Sequence, residues 1–278
     1  MFELKFTYPT CEYESYWSMP SISLPFVLSV ISSIVTAIFA SIVLLRWWSK
    51  PRPYLLAWGI GLFLYFVGTL SQVILTFVWS PLFFALWYWC GALMVPAWLG
   101  QGTIYLLVRR GSIARNVMMA LILVGIMTLP WTLFLTPFNA SAWHPGADMT
   151  QIYRDELAPD GSVIHQGILA GSAKGTVRFF SPVMNVWGTV ALVGGAIYSA
   201  YIFRRKNIMR NRVVGNWLIA FGGLLPALGG ALIRLGDPSY KYIGEMLGVI
   251  LIFWGFWLTT HVPDEEPTPA PVSQPAGH

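Results

Sequence analysis

Seven apolar stretches, each about twenty-one to twenty-seven residues long and nearly free of charge, set what this chain can fold into. A run that long can lie in hydrocarbon only as a helix, because a helix satisfies its own backbone groups where lipid offers no hydrogen bonds. The runs fall at 22–45, 54–79, 82–108, 113–137, 182–203, 213–235 and 240–260. The expected fold class is therefore an all-α integral membrane protein, a bundle of seven transmembrane helices. Composition agrees: 56% of residues are hydrophobic and 10% charged, too few charges to coat a water-soluble chain of 278 residues.

Basic residues set the expected orientation. The connection after the first run holds Arg46, Lys50 and Arg52, that after the third Arg109, Arg110 and Arg115, and that after the fifth Arg204, Arg205, Lys206, Arg210 and Arg212. All three lie on one side. The short connections opposite are nearly bare: 79–81 has no charge, and 236–239 has Asp237 alone. The positive-inside rule then puts the N-terminus outside and the C-terminus in the cytoplasm of a multi-pass cell-membrane protein. A net charge of +5 gathered at helix ends speaks for anionic headgroups and against nucleic acid.

Three parts follow. Residues 1–21 form an extracytoplasmic segment; they include Glu3, Lys5, Glu12 and Glu14 and lack the basic start and short apolar run of a cleaved signal, so the first span is its own insertion signal. Residues 22–260 form the helical domain, with one large outer connection at 138–181. Residues 261–278 are Pro-rich and acidic, a composition expected to stay disordered in the cytoplasm. The outer connection reads equally as a lid or docking loop and as a plain cover, with a short hairpin expected around Gly171 to Gly175.

Most familiar chemistry finds no residues to carry it. Cys11 and Cys90 are placed too far apart in depth for a disulfide, and neither CxxC nor Cys/His zinc spacing occurs. His144, His165, His261 and His278 all fall outside the helix interiors where a b-type haem takes its axial ligands. His144, Asp148 and His165 are the one outer group to consider for a metal, at irregular spacing. Seven helices with the N-terminus outside is also the plan of microbial rhodopsins and G-protein-coupled receptors, but the last helix has Lys241 at its outer mouth and no deep Schiff-base lysine. Val108, Arg109 and Arg110 stand where the receptors carry a DRY-like triplet. No membrane Ser/His pair or HExxH marks a protease. The chain is expected to be non-enzymatic, and the sequence names no cofactor.

Polar residues within the spans remain as site candidates, since each is costly there. Glu245 is the one acid well inside a span. Arg234 ends the sixth span on the same side and Lys241 lies one turn before Glu245, so either cation can reach it. Gln72, Tyr88 and Asn185 fall at similar depth, and with Glu245 would line a pocket under the outer connection; the plainer alternative is that each simply bonds a neighbouring helix. Trp98, Trp131 and Trp254 are placed deeper than the interfacial Trp47, Trp48, Trp79 and Trp143; they could line an aromatic cavity holding a quinone, carotenoid or other lipophilic molecule, but the plainer reading is lipid-facing filler.

Packing signals are plainer. Gly222, Gly223, Gly229 and Gly230 in the sixth span, and Gly244, Gly248 and Gly255 in the seventh, predict a close antiparallel hairpin that would bring Arg234 beside Glu245. Pro96, Pro130 and Pro226 are expected to bend their helices and free carbonyls for a pocket. Two functions stay open: a sensory or accessory subunit that binds a lipophilic ligand or a partner membrane protein, and a small-solute or proton-coupled transporter. A cavity crossing the bundle centre favours transport; one closed toward the basic side favours binding.

Overall fold

The computed structural model describes residues 23–108, 111–158, 160–169, 176–206, 210–232, 237 and 239–260. Seven helices long and apolar enough to span a membrane make up the bundle: α1 Leu24–Ser49, α2 Pro53–Leu75, α3 Pro81–Leu107, α4 Ile113–Leu135, α5 Val177–Arg205, α6 Arg210–Leu232 and α7 Ser239–Thr260. Their starts follow local chemistry. The Ser23 hydroxyl accepts the Phe26 N–H, the Ser80 hydroxyl accepts the Phe83 N–H, and Pro25, Pro53 and Pro81 occupy first-turn positions where no N–H is needed. Before α7 the exposed Asp237 carboxylate accepts the Ser239 N–H at 2.8 Å, a bond that holds its carboxyl below the usual range.

Connections α1–α2, α3–α4 and α5–α6 lie at one end of the bundle, here the basic end; the opposite end carries the long α4–α5 connection and is the lid end. α6 and α7 are the most closely joined pair, as the glycine spacing predicts. A Cβ added at Gly248 would lie 2.7 Å from the Gly222 carbonyl oxygen, one at Gly244 2.6 Å from that of Leu225, and one at Gly255 2.5 Å from that of Gly215. Only hydrogen fits at these crossings. Pro226 sharpens the middle one, because it lacks the N–H that Gly222 would receive from its i+4 residue in a regular helix.

Three helices widen locally into π-turns: α3 over Trp87–Met94, α4 over Trp131–Leu135 and α5 over Val190–Gly194. In α3 the widened turn runs up to Pro96, and in α4 it follows Pro130 directly. Such turns rotate the following side chains and loosen the carbonyl ladder.

The long connection packs down on the bundle. Met149–Ile152 form one helical turn, and Glu156–Leu157 (β1) pair antiparallel with Val163–His165 (β2) around Gly161, whose φ is +84°. The expected turn at Gly171 to Gly175 falls outside the described residues; in the β1–β2 hairpin the Asp160–Gly161 pair supplies the turn, with the Ser162 hydroxyl and N–H both donating to the Asp160 carboxylate and holding its carboxyl below the usual range. Ala147, Met149, Ile168 and Leu169 are buried against Leu75, Phe84 and Trp87. Trp143 Nε1 donates to the Leu75 carbonyl and the Gly146 N–H to that of Thr76, both at 2.8 Å, pinning the lid on the end of α2.

Candidate functional site

A cavity of about 800 Å³ opens below the lid, walled by α2, α3, α5, α6 and α7. Five of the six residues singled out by depth and polarity stand in its wall: Gln72, Tyr88, Asn185, Lys241 and Glu245. The sixth, Arg234, lies outside the described residues. The partner of Glu245 is Lys241, with Nζ 2.8 Å from Oε1 and both side chains about one-fifth exposed. Spacing explains the pairing: i and i+4 lie on one face of α7. The Lys241 ammonium also faces the rings of Tyr242 at 4.8 Å and Trp87 at 6.0 Å.

Two of the wall's polar residues are tied to neighbouring helices. Gln72 on α2 donates to the Ser29 hydroxyl of α1 and accepts the Trp87 indole N–H of α3 at 2.8 Å, so one amide joins three helices. Asn185 on α5 donates to the Ala92 carbonyl of α3 at 2.6 Å, and Ser181 donates to the same oxygen at 2.9 Å. That carbonyl is available because Pro96, four residues on, has no N–H to give it. The freed carbonyl is used to hold α5, and the bond still leaves Asn185 lining the cavity.

The wall changes character along its length. At the lid end stand Lys241, Glu245, Arg178, Ser181, Tyr153 and Thr150; deeper come Val95, Leu99, Leu192, Gly223 and Ile252. The deepest lining residues on α3 and α7, Leu99 and Ile252, each lie eight residues before their helix ends, about 12 Å short of the basic end. Beyond them, toward the basic end, the centre is filled by Val43, Trp58 and Phe256, all buried. The cavity is therefore open toward the lid half and stopped below by packed side chains.

The deeper tryptophans do not make the aromatic part of the wall. Tyr65, Trp87, Tyr88 and Tyr153 line the cavity, whereas Trp98 and Trp131 pack around the lid-end core and Trp254 is 60% exposed on the outside of α7. Tyr65 donates to the main-chain carbonyl of Glu245 at 3.0 Å. Arg178 and Tyr153 were not legible as site residues because they sit at the edge of the long connection, where depth cannot be read from hydropathy. Arg178 donates to the Leu169 carbonyl at 3.2 Å.

The outer histidines do not converge with Asp148. His165 meets the exposed Glu156 at 3.0 Å, and Asp148 turns inward, accepting the Thr150 N–H and hydroxyl and the Tyr242 hydroxyl. Among the described residues no three His, Cys, Asp or Glu side chains gather as a metal site would need. Comparison with protein-family models, with curated proteins and with solved structures returns no match.

Proposed function

We propose that this chain is a non-enzymatic, multi-pass protein of the cell membrane that binds a lipophilic ligand in the lid-end cavity and works as a sensory or accessory subunit. The observation that carries the reading is the cavity's closed base: a space of about 800 Å³, within the range of small-molecule sites, ends on buried aromatic and aliphatic side chains about 12 Å before the basic end. The basic connections support a cytoplasmic basic end with the lid outside. A partner membrane protein is part of the proposal.

Transport is the second reading, and it draws on the half-buried Lys241–Glu245 pair in the cavity wall. It would require Val43, Trp58 and Phe256 below the cavity to part. Purification of the full chain in mild detergent followed by native mass spectrometry tests the first reading: a retained small molecule is expected. An apo mass together with solute uptake by proteoliposomes would replace it with the second.

A further inference from the structure

The cavity has a side as well as a top. α6 packs against α5 mainly along Gly195–Arg205 and the π-turn Val190–Gly194, and hardly at all along Phe180–Thr189. Because the two helices run antiparallel, they diverge toward the lid end. Residues on both edges of the gap line the cavity: Val186 and Val190 of α5, and Gly223, Ala227 and Gly230 of α6. All of these but Gly223 also face outward. Val186 is 65% and Val190 64% exposed, Ala227 and Gly230 are exposed, and a Cβ added at Gly230 would meet nothing within 4 Å. From Gly223 to Gly230 the edge extends about 10 Å along the helix, within one leaflet's depth.

Three features define what the space would take. Its deep part is apolar and its lid end polar, so an occupant carries a chain and a head. Its volume equals roughly 27 water-sized volumes of about 30 Å³, which suits a molecule of about two dozen non-hydrogen atoms and not a whole two-chain phospholipid. At the head end Lys241 is already matched by Glu245 at 2.8 Å and Arg178 is held by the Leu169 carbonyl, so a head that hydrogen-bonds without net charge fits best.

Resting on the binding function proposed above, we infer that the ligand is a single-chain amphiphile with an uncharged, hydrogen-bonding head, and that it enters sideways from the lid-end leaflet between α5 and α6. The head then sits beside Lys241, Glu245 and Ser181 under the lid, and the chain lies against Leu99, Leu192 and Ile252.

A photoactivatable monoacylglycerol, with its diazirine near the chain end, tests this on the full chain in lipid nanodiscs. Crosslinks mapped by mass spectrometry are expected on cavity-facing peptides of α3, α5 and α7. Ala227→Trp, which places an indole in the gap, should slow labelling at least ten-fold with an unchanged melting temperature. Tyr242→Phe, which loosens the lid, should leave the rate within two-fold. An equal excess of an anionic single-chain lipid, lysophosphatidylglycerol, should compete at least ten-fold less well than unlabelled monoacylglycerol.

The outcomes separate. Cavity labelling that Ala227→Trp does not slow, or that Tyr242→Phe accelerates, overturns lateral entry and leaves the binding function standing. Better competition by the anionic lipid overturns the uncharged head. Absence of cavity labelling in the unaltered protein overturns both this inference and the function beneath it.

Discussion

Asn185 of α5 donates its amide to the Ala92 carbonyl of α3 at 2.6 Å, the carbonyl that Pro96 leaves without its helical donor. A proline in one helix and an asparagine in another thus form one device, and it sets the width of the cavity between them. The Gly188 backbone completes the contact, since a Cβ there would run into the Pro96 main chain.

This relationship predicts a coupled pair. Asn185→Leu should lower stability by about 1 kcal/mol, because the Ser181 hydroxyl remains on the carbonyl. Adding Ser181→Ala should cost about 1 kcal/mol more by leaving a polar oxygen unpaired in an apolar wall. In a Pro96→Ala background, where a backbone donor returns, Asn185→Leu should cost less than it does alone. Thermal melts of the four variants in detergent give the cycle; strictly additive losses would separate Asn185 from Pro96.

The lid is latched to α7 through Asp148. One carboxylate oxygen accepts from Tyr242 and Thr150, while the other is buried without a partner among the described residues. Tyr242→Phe should therefore raise hydrogen exchange across 144–157 and 163–169, corresponding to about 1–2 kcal/mol of local opening, and leave α1 and α2 protected. Uniform protection in the variant would mean that Trp143 and Gly146 hold the lid unaided.

Much of this architecture was legible in the sequence because hydropathy and charge speak directly to helix placement. Six spans begin and end within about four residues of expectation, since the apolar runs stop at serines, prolines and basic clusters that also stop helices. α5 differs: it starts at Val177, five residues before its apolar run, because Arg178 depresses the local hydropathy of a segment that is nonetheless wound. The polar wall residues were legible from depth alone. The local i,i+4 contact of Lys241 with Glu245 was legible too, as one of two cations in reach, whereas the partners of Gln72 and Asn185 were not, because they depend on helix rotation. The hairpin around Gly161 was not legible for a related reason: several glycines of the connection compete as turns, and only the strand pairing chooses among them.

Lys241 and Glu245 should behave as a coupled pair. Glu245→Gln alone strands a half-buried ammonium beside Trp87, and Lys241→Met alone strands the carboxylate, so each should reduce stability; the double variant should be more stable than the sum predicts by about 1 kcal/mol. Detergent melts measure the coupling. If Glu245→Gln instead leaves melting unchanged and abolishes ligand retention, the carboxylate serves the ligand and not the bundle.

The proposed orientation is open to direct labelling. In a Cys11→Ser background, with Cys90 buried, a cysteine placed at the exposed Ser162 should react with an impermeant maleimide in intact cells. Reaction only after permeabilisation would invert the bundle and, with it, the leaflet from which a ligand enters.

The α6–α7 crossing gives the sharpest packing test. The Gly248 Cα faces the Gly222 carbonyl so closely that an added Cβ would lie 2.7 Å from the oxygen and about 3 Å from the Pro226 ring. A backbone carbonyl cannot rotate away as a side chain can, and lipid burial returns nothing for the lost close approach. Gly248→Leu should thus destabilise by more than about 2 kcal/mol. Leu251→Ala, at a half-buried position that touches none of the glycine crossings, should cost about 1 kcal/mol or less. Melting curves in one detergent compare the two directly; equal tolerance would show that the glycines do not bear the contact, and that the α6 wall of the cavity is held by its lid-end connection to α7 instead.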